Sequence, residues 1–195
     1  MMNTPGGFLG RVGAGRWLAC LLLVLAGLLP GPAVARPLSR EYDVKAAFLY
    51  NFAMFIDWPK EAFAGPDSPF VIGVLGTDPF GSSLEETVAG ERVKGRPIVI
   101  RRFSEAAGAQ GCHLVFISAS EHRRVKELLR VLRRPTLVTV ADMPGFVEAG
   151  GLIGFVTDTR VGIRINAAAL RESKVLISSK LLRLAQVAGM ETSPP

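Results

Sequence analysis

Cysteine, histidine and tryptophan are scarce: the 195-residue chain has two of each. Cys20 falls in a leading segment that reads as a cleaved export signal, which leaves Cys112 as the only thiol of the mature chain. A lone thiol excludes an intramolecular disulfide, whatever the compartment allows. The run "CHLVFIS" reads as the entry to a buried strand, so a buried structural thiol is the simpler role and an intermolecular bridge the sharper one. Cys112 and His113 are adjacent, so on a strand they point to opposite faces, and no second cluster with metal-ligand spacing accompanies them. Glycines 73, 76 and 81 do not have the G-x-G-x-x-G spacing, and no G-x-S-x-G elbow is present. The uncharged stretch from Ala46 to Ile56 is too short to cross a bilayer, which takes about 20 residues.

What is present begins with residues 1–35. Arg11 and Arg16 precede an apolar run from Trp17 to Leu29, Pro30-Gly31 breaks it, and Ala33-Val34-Ala35 follows. This is the pattern of a secretory signal peptide with cleavage expected after Ala35. Lipidation at Cys20 is disfavoured, because that residue sits near the start of the apolar core and the Ala-x-Ala site comes well after it. The formal charge of +6 then falls to +4, with 21 basic and 17 acidic residues left. The surplus sits in "EHRRVKELLRVLRR" (121–134), a basic helix with neither stacking aromatics nor a nucleic-acid module beside it. It reads as a solvated face, suited to acidic headgroups or an acidic partner.

The mature chain reads as one domain over 36–189 with a loose tail at 190–195. "PFVIGVLG" (69–76), "RPIVIRRF" (96–103), "HLVFIS" (113–118) and "TLVTVAD" (136–142) read as strands. "GLIGFVTD" (151–158) and "VGIRIN" (161–166) read as a hairpin. Between them, 79–90 reads as a helix with Asp78 as its cap, and Ser118 with Glu121 has capping-box spacing ahead of the basic helix. Asn166 caps "AAALRES", and a last helix places Leu181, Leu184, Ala185 and Ala188 on one stripe. Strands alternating with helices predict an α/β three-layer sandwich: a mainly parallel sheet flanked by helices, with an antiparallel edge hairpin.

In such a sheet ligands gather at the carboxyl ends of the strands. Those ends supply Thr77, Asp78, Ser118, Ser120 and Asp142 as candidate ligand loops. His122 is the only histidine placed to activate Ser118 or Ser120, which keeps a serine hydrolase as a minor reading. Asp78, Ser118, Ser120 and Asp142 also have a plain capping role, and Thr77 belongs to a plain turn. The other conspicuous feature is "YDVKAAFLYNFAMFIDWP" (42–59), a helix apolar nearly all round. One stripe holds Val44, Phe48, Phe52 and Phe55, and a second holds Ala46, Leu49, Ala53 and Ile56. Such a helix must be covered on most sides. It is either central to the fold or shared with a second chain, and Tyr50, Met54, Phe55 and Trp58 are the candidate contacts for a partner or for a homodimer.

Five segments in order resemble the YfiR family of exported bacterial proteins: 44–59, "IGVLGTDPFG" (72–81), 112–118, "LVTVADMPGFVEAGGLIGF" (137–155) and "RINAAALRESKVLISSKLLRLA" (164–185). The resemblance implies a periplasmic α/β protein, often dimeric, without catalytic activity or cofactor. In the studied branch such a protein binds the periplasmic part of an inner-membrane diguanylate cyclase and holds it inactive. An outer-membrane lipoprotein can sequester it in turn, and the output is cyclic di-GMP, biofilm formation and motility. Cys112 matches a cysteine position of the family, but its intramolecular partner is missing, so redox control through an internal bridge does not carry over. The family also has members beside sensor kinases, so a small-ligand binding protein feeding such a kinase is the second expectation.

Overall fold

The computed structural model describes residues 37–188; the expected export signal and the 190–195 tail lie outside them. Helix α1 (Pro37–Phe55) runs into a short strand β1 (Ile56–Asp57). It starts on a proline, which fits a first helical position. It ends ahead of Pro59, which biases Trp58 toward extended backbone. β2 (Phe70–Leu75), α2 (Ser83–Val88), β3 (Arg92–Val93), β4 (Arg96–Phe103) and β5 (Leu114–Ile117) follow. A 3-10 turn (Ala119–Arg124) leads into α3 (Val125–Val131), then β6 (Val138–Ala141), β7 (Ile153–Thr157) and β8 (Val161–Asn166). The chain closes with α4 (Ala167–Glu172), β9 (Leu176–Ile177), α5 (Ser179–Leu184) and β10 (Ala185–Ala188).

Eight strands form one sheet in the order β10-β8-β7-β6-β5-β2-β4-β3. β4, β2, β5, β6 and β7 are mutually parallel, β7 and β8 form the antiparallel hairpin, and β3 runs antiparallel to β4. The expected α/β architecture is present. Every residue of β2, β5 and β6 is buried, because helices or loops cover both faces there. On one face Ala46, Leu49, Phe52 and Ala53 of α1, with Ile56 of β1, pack with Phe70, Ile72, Leu114, Phe116 and Val140. Full burial of side chains such as Leu49 and Phe52 contributes roughly 1.5–3 kcal/mol each. On the other face Val125 and Leu128 of α3 pack with Val71, Leu75, Val115, Ile117 and Phe146.

Four local features differ from expectation. Residues 185–188 are not helical: Ala185 is extended (φ −102°, ψ 146°), and β10 pairs parallel to β8. The free edge of β8 supplies hydrogen bonds that override a short, ambiguous "AQVA" run, and the hairpin consequently lies one strand in from the edge. Leu184, placed on the apolar stripe, is 69% exposed. Asp78 does not cap α2; its Oδ1 accepts from the Phe80 amide at 2.8 Å and its Oδ2 pairs with Arg102 at 2.6 Å. The capping box at Ser118 is half formed: Ser118 Oγ accepts from the Ser120 amide, while the Glu121 carboxylate turns to Ser120 Oγ and Arg124. The cap read at Asn166, accepting from Ala168 and Ala169, is in place, and the structure adds one at Ser178, which accepts from Leu181.

Candidate functional site

The strand ends come together as the parallel sheet requires, but most of their polar groups are spent locally. Thr77 donates its amide to Ser120 Oγ at 3.0 Å, and Ser120 Oγ donates to Glu121 at 3.0 Å. Ser118 is buried under its own turn. Asp78 is held by Arg102, which also pairs with Glu85. His122 is exposed, and among the described residues no hydrogen bond joins it to Ser118 or Ser120. The serine–histidine dyad required by the hydrolase reading is therefore not assembled in this geometry.

Asp142 is different. It follows β6 directly and its side chain is only 6% exposed. Its Oδ2 accepts from the Tyr42 hydroxyl at 2.8 Å and from Lys45 Nζ at 2.7 Å, both on the first turns of α1. Lys45 is 3% exposed and also pairs with Glu41 at 2.6 Å, one helical turn back. Its ammonium lies 4.5 Å from the centroid of the Tyr42 ring and 5.8 Å from that of Phe155, close enough for cation–π attraction. The hydrogen bond from Lys45 is the largest influence holding the Glu41 carboxyl below its ordinary range. Burial, then the hydrogen bond to Asp142, pushes the Tyr42 hydroxyl well above the ordinary phenol range. The cluster pins the start of α1 to the carboxyl end of the sheet. Sequence reasoning named Asp142 but missed Tyr42 and Lys45, which lie 100 and 97 residues away along the chain. The signal available was a lysine placed directly ahead of the uncharged run that starts at Ala46.

The candidate contact residues of α1 divide. Met54 and Phe55 are 39% and 38% exposed. Tyr50 is half-buried and its hydroxyl donates to Glu91 at 2.7 Å. Trp58 is half-buried too: its indole N–H donates to the His113 carbonyl at 3.3 Å and its ring meets Phe70 edge-on. Beyond α1 the chain forms a two-stranded ribbon in which Asp57 opposes Leu176 and Ile56 opposes Ile177. Leu176 is 71% exposed. Phe55, whose carbonyl accepts from Ser178 at 3.0 Å, and Leu176 thus stand exposed at the rim of this ribbon, and Leu176 was not among the residues read from the sequence.

Fold and site together define a class: a doubly covered α/β sheet whose strand-end polar groups hold the structure together. The chain belongs to the YfiR/HmsC-like family, whose profile matches residues 42–186, from the first turns of α1 to β10. At family level this is a regulatory, non-catalytic role in cyclic di-GMP signalling. No curated protein matches the chain. Among solved structures it is similar to a conserved domain protein from Vibrio cholerae O1 biovar eltor, with 12% identity, 77% of this chain and 60% of that chain covered, and a TM-score of 0.48. It is also similar to the ABC domain in complex with L-Trp from Streptococcus pneumonia, with 15% identity, 78% and 62% covered, and a TM-score of 0.45. The chain spans about three fifths of the length of each.

Proposed function

We propose that the mature chain is a periplasmic repressor that binds the periplasmic domain of an inner-membrane diguanylate cyclase and thereby lowers cyclic di-GMP. The family match over nearly the whole domain carries this reading. Repression is linkage: binding one conformation of the cyclase more tightly than the other shifts its population toward the inactive state. The apolar rim of Met54, Phe55 and Leu176 is the proposed contact, used either for the cyclase or for a second copy of the chain. An outer-membrane lipoprotein that sequesters the repressor would relieve the block.

The test is genetic and quantitative. Deleting the gene raises cellular cyclic di-GMP, the wild-type gene restores it, and Phe55→Glu fails to restore it although the variant accumulates and melts like the wild type. An unchanged level in the deletion strain overturns the proposal. Full restoration by Phe55→Glu and by Leu176→Glu removes the rim as the contact.

A further inference from the structure

The first turns of α1, the end of β6, the 143–148 loop and strands β7 and β8 line a cavity of about 440 Å³ that is open to solvent. Asp142 lies on its wall, and the distribution of donors around that carboxylate is lopsided. Oδ2 takes both the Tyr42 hydroxyl and the Lys45 ammonium. Oδ1 is buried and has no hydrogen-bond partner among the described residues. A carboxylate offers about four lone-pair positions, and a bare charged oxygen in a low-dielectric setting is expensive. Asp142 lines the cavity and the torsion that carries its carboxylate is soft, so a donor that enters there is the kind of partner Oδ1 lacks.

The charges on the wall say what kind of donor fits. The carboxylates are Glu41, Asp142 and Glu148, and the cations are Lys45 and Arg164. Arg164 is committed to Glu148 at 2.8 Å. Lys45 is shared between Glu41 at 2.6 Å and Asp142 at 2.7 Å, so one lysine faces two carboxylates. The wall is one positive charge short. Val147, Phe155 and Val156 supply apolar surface beside it.

We propose that this cavity binds a small organic cation bearing a primary ammonium, which donates to Asp142 Oδ1 and supplies the missing charge while its alkyl part lies on Val147, Phe155 and Val156. A hydroxyl would satisfy the acceptor without balancing the charge, and an anion would do neither. The inference rests on the cavity and its side chains alone and stands whether or not the chain represses a cyclase.

The experiment uses the full mature chain and three probes that differ only in their head group: n-butylammonium chloride, 1-butanol and sodium butyrate, at equal ionic strength. Binding is read by calorimetry and by the carbon-13 shift of the Asp142 carboxyl in the wild-type protein. Butylammonium is expected to bind saturably and to move that resonance. Butanol is expected to bind at least about tenfold more weakly, and butyrate not at all. Asp142→Asn is expected to lose butylammonium binding by about tenfold or more. If that variant does not fold, the wild-type resonance decides. An Asp142 shift that stays put at saturating butylammonium, equal binding of butanol, or undiminished binding by a folded Asp142→Asn variant overturns the proposal.

Discussion

Lys45 Nζ lies 2.7 Å from the Asp142 carboxylate, both side chains almost fully withdrawn from water, and the contact fixes the first helix to the end of β6. Replacing a buried ion pair with apolar groups is often neutral, whereas removing one partner strands a charge. Lys45→Met is therefore expected to lower stability by about 3–5 kcal/mol at neutral pH. Adding Asp142→Leu should recover a large part of that loss. Urea denaturation of the two single variants and the double variant measures the coupling directly. A double variant as unstable as the sum of the singles would show that the pair acts independently.

His113 makes the molecule sensitive to acid. Its ring is stacked between Phe63 and Phe70, at centroid distances of 4.4 and 5.0 Å. Nδ1 accepts from the Val71 amide at 3.0 Å, which it can do only when unprotonated. Burial pushes the imidazole pKa down to about 4; the Ala62 carbonyl opposes this and the charge of Arg96 adds to it. The folded value lies below the unfolded value of about 6.5, so between them the unfolded chain binds the extra proton. Stability is fully present above about pH 6.5 and falls as the pH drops toward 4. The loss should reach roughly 2 kcal/mol once residual solvent screening is allowed for. His113→Gln keeps an acceptor for Val71 and should flatten this part of the urea-midpoint profile, whereas an unchanged slope would assign the acid loss to carboxylates.

The strands that read as near-continuous apolar runs, 113–118 and 136–142, were legible because a strand buried on both faces is built mainly from apolar side chains. Asn166 was legible because capping is local, one side chain on the amides two and three residues ahead. What the sequence concealed depends on distant chain. β10 exists because β8 has a free edge, and Trp58 is drawn inward because its indole meets the carbonyl of a residue 55 positions on. Lys45 stands just ahead of the uncharged run 46–56, and only the fold brings Asp142 to it. Of the residues named for function, Asp142 sits in a distinctive environment, while Thr77, Asp78, Ser118 and Ser120 serve their own turns.

Gly151 is required by packing. A Cβ built there would lie 2.1 Å from the Phe146 ring, and one at Gly154 would lie 2.9 Å from Val147. These glycines let the 143–150 loop fold back on the entry to β7, with Gly151 donating its amide to the Phe146 carbonyl at 3.0 Å. Overpacking of this kind typically costs about 1–3 kcal/mol. Gly151→Ala should destabilise by that amount and speed amide exchange across 143–150. A cycle with Phe146→Ala alone and the double variant isolates the clash: because Phe146→Ala itself opens a cavity, only a Gly151→Ala cost that is smaller in the Phe146→Ala background assigns it to the ring, and additive costs would rule the ring out.

Cys112 tests the packing on the other face of the sheet. The thiol is 6% exposed among Val71, Val115 and Leu137, and a Cβ at Gly73 would come within 3.1 Å of its sulfur. Burial raises its pKa, although Arg101 and Arg134 pull it back. Both effects suppress the thiolate, the form that reacts, in the folded state: the raised pKa lowers its population and burial denies it access. Iodoacetamide at pH 8 should therefore alkylate Cys112 at least about a hundredfold more slowly in the native protein than in urea, a rate that follows the opening equilibrium of the α3 face. Non-reducing gels of the folded protein should show monomer only. Rapid native labelling, or a disulfide-linked dimer formed without denaturant, would mean that this face of the sheet opens readily, and would give the thiol an intermolecular role that its burial beside Gly108 of the 106–109 turn argues against.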